Sequence, residues 1–352
     1  MNKQIPVAVL GANGSVGQRF ISLLGDHPLF KVVALTASDR SIGKKYKDAC
    51  RWILSEKMPA WAEEIVLTPS DVNSINGARI CFSALPASEA YDIEPALAKA
   101  GIVVCSNASS YRREIDVPLL LPEVNGEHIG LITQQQRNHG WQGAILTNPN
   151  CTSTGLTVAL KALDDSFGVK KVMAVSLQAL SGAGYPGIPS LDVIDNVIPN
   201  INGEEEKVEW EPLKMLGKIT DNGIKMADIQ ISAHTNRVAV IDGHTVCVNV
   251  ELAENPTIEA VNLSFLNYRG PKIAQNLPST PDPVIDVRYE SDRPQPKLDR
   301  FTGKGMSTVV GRVRKDTILT LKFVVLSHNT IRGAAGGSIY NAELFLSQGF
   351  LK

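Results

Sequence analysis

The sequence predicts an α/β fold in two parts: an N-terminal doubly wound parallel sheet, then an α+β domain built on a mixed or antiparallel sheet. Three observations predict it. Short apolar runs alternate with helix-patterned segments through residues 5–109, as in strands joined by crossover helices. The runs after Cys151 are longer and alternate apolar with polar residues, as strands with one covered face do. A glycine-bearing turn stands between the first strand and the first helix.

Taken in order, PVAVL is a short buried strand, and GANGSVG turns the chain into a helix spaced on Val16, Phe20, Leu23 and Leu24. KVVALTAS (31–38), ARICFSALP (78–86) and GIVVCSNAS (101–109) read as further buried strands, the last two separated by the helix-patterned EAYDIEPALAKA. A boundary falls near 148–151. Beyond it VMAVSLQAL, HTNRVAVID, HTVCVNVEL and DTILTLKFVVLS read as the alternating strands. Residues 271–296 hold six prolines, which exclude a continuous helix or a central strand and suit a surface excursion or a subunit contact. GGSIYNAELFLSQ reads as a final helix returning to the first domain.

Composition excludes several classes. With 43% hydrophobic residues, 20% charged residues and a net charge of −1, the chain has no disordered or nucleic-acid-binding signature. No apolar run has membrane-spanning length, and MNKQIPVAVLGANG enters a strand without a signal-peptide pattern. Five scattered cysteines without C-x-x-C spacing read as reduced thiols, and six histidines lack ligand spacing, so the expectation is a cytoplasmic protein without a metal.

Gly11-x-x-Gly14-x-x-Gly17 lies where backbone N–H groups and a helix N-terminus favour a pyrophosphate. Gly11, Asn13, Gly14, Ser15, Val16 and Gly17 are therefore candidate dinucleotide contacts, with a bare turn as the alternative. After the second strand, Asp39 stands where a ribose-binding acid would. Ser38 and Arg40, near Lys44 and Lys45, better suit the 2′-phosphate of NADP. A solvated basic loop would have the same composition.

Cys151 opens a helix-like run in LTNPNCTSTGLTVAL. The helix macrodipole and first-turn N–H groups there favour a thiolate, and the same N–H groups could hold an oxyanion. Free cysteine is equally at home in a core, so Cys151 is at this point either a packed thiol or a nucleophile. Cys50, Cys81, Cys105 and Cys247 read as packing residues in a helix and three apolar strands. His244, after a D-G turn, is either a structural residue or a proton-transfer partner. Arg237 is open in the same way. The charge run Glu204 to Lys207 reads as a solvated face unless a ligand claims it, and the loop Ser106 to Arg113 resembles a ligand clamp.

Together these pieces resemble the aspartate-semialdehyde dehydrogenases, in particular the archaeal and fungal branch, over nearly the whole chain. GANGSVG is similar to the family's dinucleotide turn, NPNCTST to its nucleophile motif, and SLQALSGAGYPG to the segment with its orienting glutamine and cofactor loop. NRVAVIDGH carries an arginine and a histidine seven apart, and DRPQPKLDRFTGKGMSTVVGRVR and NTIRGAAGGSIYNAE are similar to the C-terminal signatures. Glyceraldehyde-3-phosphate dehydrogenases would read S-C-T-T-N at the cysteine, and N-acetylglutamyl-phosphate reductases G-C-Y-x-T.

The resemblance implies a Rossmann-like NADP domain over 1–150, rejoined by a helix at about 334–352. A catalytic and dimerisation domain like that of glyceraldehyde-3-phosphate dehydrogenase would span 151–333. It implies an NADP(H)-dependent oxidoreductase of lysine, threonine and methionine biosynthesis, acting on 4-phospho-L-aspartate or, in reverse, on aspartate semialdehyde and phosphate. Cys151 would be the nucleophile, His244 the acid/base, and Gln178 would orient the acyl group. Arg237 would bind the α-carboxylate, Glu204 the α-ammonium, and Lys207 and Arg112 the phosphate. The family often has methionine after that arginine, where this chain has Arg113. Ser181, Gly182, Gly184 and Asn341 would approach the cofactor. A homodimer or homotetramer is implied, with neither nucleic acid nor membrane as partner. The competing readings are a malonyl-CoA reductase on the same scaffold and a non-catalytic NADP-sensing protein.

Overall fold

The apolar runs of the N-terminal part form five parallel strands: β1 (Ile5–Leu10), β2 (Phe30–Leu35), β3 (Ile80–Ser83), β4 (Val103–Ser106) and β5 (Ala144–Thr147). Their order is β2-β1-β3-β4-β5. The structure, a computed structural model, describes residues 4–221 and 223–351; residues 1–3, 222 and 352, within the expected domain spans, lie outside them. Every residue of β3, β4 and β5 is buried, as expected of parallel strands covered on both faces. β5 escapes the sequence reading because AILT is a four-residue apolar run with no period.

The chain divides into two units. One holds residues up to Leu120, Glu127–Asn148, and the stretch from Ala334 on; the other holds Leu121–Gly126 and Pro149–Gly333. Residues 121–126, within the stretch expected in the N-terminal domain, thus pack with the second unit. In the first unit, the C-terminal helix Gly336–Ser347 lies against β3 and β4. His27 Nε2 meets its Glu343 Oε1 at 2.8 Å.

The second unit contains β6 (Val169–Gln178), a two-stranded pair β7 (Lys218–Thr220) and β8 (Gly223–Lys225), and then β9 (Gln230–Arg237) and β10 (His244–Leu252). β11 (Ile285–Arg288), β12 (Thr308–Lys315) and β13 (Leu321–Ser327) follow. Its main sheet runs β11-β12-β13-β10-β6-β9. The outer pairs β11/β12 and β6/β9 are parallel and the inner pairs antiparallel, so the sheet is mixed. HTNRVAVID ends its strand at Arg237, five residues short of the expected run; the bond from Val238 N to the Gln178 carbonyl is the last of the ladder to β6. The proline-rich stretch contributes only the edge strand β11 and two short helical turns, Lys272–Ala274 and Pro296–Asp299.

Alternation in β6 and β10 leaves one face covered and one open. The helix Cys151–Phe167 lies against β6, β10, β12 and β13 and is buried from Thr152 to Leu160, the mark of a core helix. On the open face Val175 pairs across strands with Cys247, and both are exposed, as is Met173. Cys247 is therefore not the packed thiol its apolar run suggested; the alternation turns it outward.

β9 is an edge strand, and its outward N–H groups are capped. Thr235 N donates to Glu205 Oε1 at 3.1 Å and Ala233 N to Glu209 Oε1 at 3.0 Å, both from the helix Glu204–Met215.

Candidate active site

The NPNCTST segment folds as it does because Asn150 is a helix N-cap. Its Oδ1 accepts from Thr152 N at 2.9 Å and Ser153 N at 3.2 Å, the local bond that makes asparagine a strong cap. Cys151 is thus fixed at the first helical position and is partly exposed. The same cap corrects one expectation: the N–H groups of Thr152 and Ser153 are spent inside the chain and are not oxyanion donors.

Cys151 Sγ lies 3.1 Å from Nε2 of His244. The D-G turn delivers this histidine as the first residue of β10, with Gly243 N held by Asn329 Oδ1 at 2.8 Å. Ala179 N donates to His244 Nδ1 at 3.0 Å. A nitrogen that accepts an N–H carries no proton, so the neutral ring holds its hydrogen on Nε2, facing sulfur. Burial, helped by the charges of Arg237 and His328, pushes His244 down to about 3. In this arrangement the ring is a neutral donor toward Cys151.

Gln178 and Arg237 end two neighbouring parallel strands and are paired in register. Both are buried. Gln178 Nε2 reaches Ser176 Oγ at 3.3 Å and Glu204 Oε2 at 3.4 Å. Arg237 Nη1 donates to the Ala179 carbonyl at 2.6 Å, and burial lowers the guanidinium from its ordinary value against the pull of Cys151 and Glu204. The loop carrying Ser181, Gly182 and Gly184 closes on these groups. A Cβ on Gly182 would stand 2.9 Å from Arg237 Nη1 and 3.1 Å from His244 Nε2, so only glycine fits without displacement. Ser181 is tied in by Asn329 Nδ2, at 2.7 Å from its hydroxyl.

Glu204 departs from the solvated face that the composition of the charge run suggested, whereas Glu206 is exposed. Glu204 is buried; Oε1 accepts from Lys207 Nζ at 2.8 Å and Oε2 from Asn150 Nδ2 at 2.7 Å. Cys151, His244, Gln178, Arg237, Glu204 and Lys207 are thereby joined, directly or through one residue, in the second unit.

The remaining expected residues belong to the first unit. Gly17 packs the first helix so tightly on the turn that a Cβ would collide with the Gly11 carbonyl and, at 2.8 Å, with Ala12. Ala12 N donates to Thr36 O at 2.9 Å and Asn13 Nδ2 to Ser41 Oγ at 3.1 Å, which brings the turn beside the loop of Ser38 and Arg40. Both loop residues are exposed. Gly14 caps the helix Ser15–Leu24 without a side-chain bond. Asn13 Oδ1 and both amide atoms of Asn341 are buried with no hydrogen-bond partner among the described residues. Arg112 is buried with Nη2 on the Asn107 carbonyl at 2.8 Å, whereas Arg113 is exposed.

Two family models match the chain: a semialdehyde dehydrogenase NAD-binding domain over residues 6–132, and a semialdehyde dehydrogenase dimerisation domain over residues 160–332. An aspartate-semialdehyde dehydrogenase of Archaeoglobus fulgidus is 53% identical over 342 residues, covering 97% of this chain and 98% of that protein. The chain belongs to the aspartate-semialdehyde dehydrogenase family. A Schizosaccharomyces pombe aspartate-semialdehyde dehydrogenase is 46% identical over 98% of this chain and 99% of its own. The crystal structure of the Candida albicans aspartate semialdehyde dehydrogenase with NADP matches with a TM-score of 0.90 at 40% identity, covering 99% of this chain and 100% of that one. For this aspartate-semialdehyde dehydrogenase family member the turn, its uncapped helix start, the unpartnered Asn13 Oδ1 and the unpartnered amide of Asn341 fit a dinucleotide that supplies the missing partners.

Sequence reading of this semialdehyde dehydrogenase missed Asn150, Asn329, Glu211 and Gly333. Asn150 had a signal, an Asn one residue before a helix start. Glu211 had none: a single acid in WEPLK does not announce that it faces the Asn150 cap.

Proposed function

We propose that this protein catalyses the NADPH-dependent reductive dephosphorylation of 4-phospho-L-aspartate to L-aspartate 4-semialdehyde through a thioester on Cys151. The observation that carries the reading is Sγ at 3.1 Å from a ring nitrogen whose proton is fixed by the Ala179 N–H. Thiolate is the attacking species, and a neutral Nε2–H steadies it without demanding a buried positive charge.

Cys151 sulfur attacks the acyl carbon, the C–O bond to phosphate breaks, and phosphate leaves with its charge met by Lys207 and Arg112. The thioester on Cys151 is more easily reduced than a carboxylate, which is the gain from covalent catalysis. The residue 11–17 turn, Ser38, Arg40, the Ser181–Gly184 loop and Asn341 would hold NADPH, which when bound would supply the hydride. His244 Nε2–H then faces the oxygen of the thiohemiacetal, in the manner of a neutral imidazole electrophile. Collapse of that adduct breaks the C–S bond, releases the aldehyde and returns Cys151 to thiolate. Arg237 has further donors beyond the one on Ala179 for the α-carboxylate, where a planar fork matches two oxygens. Glu204 faces the α-ammonium, and Gln178 orients the acyl group.

Five free thiols suit a reducing compartment, and we read the enzyme as cytoplasmic. The open face bearing Met173, Val175 and Cys247 suits burial in a homodimer or homotetramer. Among the described residues no helix is long and apolar enough to cross a membrane. The test is Cys151→Ala in the phosphorolytic assay with aspartate semialdehyde, phosphate and NADP. Turnover should vanish while NADPH still binds; retained turnover overturns the mechanism. Faster reduction of malonyl-CoA than of phospho-aspartate by the unmodified enzyme would overturn the substrate.

A further inference from the structure

Asn150, the residue before the nucleophile, has its polar groups distributed between two helices. Its Oδ1 caps the helix Cys151–Phe167, and its carbonyl accepts from Thr154 N at 3.0 Å. Its Nδ2 and its backbone N–H both leave that helix for the helix Glu204–Met215. Nδ2 goes to Glu204 Oε2 at 2.7 Å and the N–H to Glu211 Oε2 at 2.6 Å. Residues 204 and 211 are seven apart, two helical turns, and so share one stripe. Glu211 is 0% exposed. Ser153 Oγ adds a third link, to the Lys207 carbonyl at 3.4 Å.

We propose that Glu211 is a positioning residue for Cys151: its carboxylate fixes the Asn150 backbone and thereby holds Sγ against His244. The inference rests on the reading of Cys151 as nucleophile. Glu211 acts through the Asn150 backbone N–H. Charge-assisted bonds from a carboxylate to a backbone N–H are short and strong, and the cap has no freedom to tilt while both its ends are held. Side chains that place a nucleophile within hydrogen-bond reach of its partner contribute through orientation, and a displacement of about 1 Å costs about a hundredfold in rate. The same bond, beside those of Asn150 Nδ2 and Ser153 Oγ, links the Cys151 cap to the helix that presents Glu204 and Lys207, so nucleophile and substrate-facing residues are set together.

Glu211→Gln keeps an oxygen that can accept the Asn150 N–H, and Glu211→Ala removes it. For the full chain, two quantities distinguish positioning from general folding: the iodoacetamide alkylation rate of Cys151 across about pH 6 to 9 without substrate, and kcat beside KM for NADPH. Glu211→Ala should shift the alkylation profile and lower kcat by about tenfold or more, with KM for NADPH within about twofold. Glu211→Gln should stay within about threefold of the unmodified enzyme on both. An alanine variant that alkylates and turns over normally overturns the proposal. So does a glutamine variant impaired about tenfold, which decides the matter even where the alanine chain does not fold. Alkylation is read without turnover, so a failed Glu211 comparison is distinguishable from an active Cys151→Ala enzyme.

Discussion

Ala179 donates its backbone N–H to Nδ1 of His244 at 3.0 Å, while Nε2 of the same ring faces Cys151 sulfur at 3.1 Å. One backbone group thus selects the tautomer, and the ring meets the Cys151 sulfur as a donor. Imidazolium would place a proton on Nδ1, directly against the Ala179 N–H.

His244 is held neutral to about 3, chiefly by burial. An unfolded histidine titrates near 6.5, so between those values the unfolded chain binds a proton that the folded one refuses. The contribution to stability is therefore complete above about pH 6.5 and is lost as pH falls toward 3, with about 2 kcal/mol gone by pH 5. His244→Asn should show a correspondingly smaller fall in denaturation free energy between pH 7.5 and 5. In the intact enzyme the His244 ring protons should hold one NMR shift over about pH 5 to 8. A shift that titrates near 6.5 sinks the neutral-donor assignment.

Gly333 lies where a Cβ would stand 2.8 Å from Cys151 Cβ and 2.9 Å from its Cα. The backbone there is a single π-helical turn, Ile331–Ala335, a form of helix that recurs at functional sites. Arg332, its second residue, is anchored by a buried ion pair with Glu123, 2.5 Å between Nη2 and Oε2. Neither partner has room to yield, so Gly333→Ala should push Cys151 off its helix position. We expect kcat to fall about a hundredfold and stability by about 1–3 kcal/mol. Normal kcat in a folded Gly333→Ala protein would refute the close approach.

Glu94 is a buried carboxyl in the first unit, accepting from the Ser106 hydroxyl at 2.7 Å. Burial raises it to about 7, against the opposing pull of the Ser106 and Ser83 hydroxyls and Arg112. A raised value favours the folded state where the group is protonated, and that advantage is lost as pH rises from the ordinary carboxylate range through 7. Glu94→Gln stays neutral and should become more stable than the unmodified protein as pH rises from about 5 to 8, by about 2 kcal/mol. Melting curves at the two ends check it. A stability difference that does not change with pH rules out ionisation of Glu94.

The fold class was legible because buried parallel strands and one-sided strands write different periods: ICFS and VVCS are continuous, whereas HTVCVNVEL alternates. β12 and β11 were not read, since RVRK and IDVR carry charges into edge-side strands and look like loop. Cys151 was legible as a helix start and His244 as a strand start, because asparagine caps and D-G turns act locally. What joins them was not. The Ala179 N–H, the Gly333 approach and the Glu211 carboxylate all come from residues whose own neighbourhoods are unremarkable, 28 to 182 positions from Cys151. Contacts of that kind depend on topology, which a local pattern does not encode. Glu204 shows the opposite error: the composition of its charge run says solvent, and packing against the Asn150 cap overrules it at this one position.

The helix that carries this run also covers the rim of the second sheet. Glu205 and Glu209 take the outward N–H groups of Thr235 and Ala233, and Ile198 exchanges two backbone bonds with Arg237 at the strand's end. A bare strand edge is a template for another chain. Loosening the helix Glu204–Met215 therefore does more than misplace the side chains of Glu204 and Lys207. It uncovers an adhesive border, so damage at this one element would be registered first as turbidity in a tube of protein that had also stopped turning over.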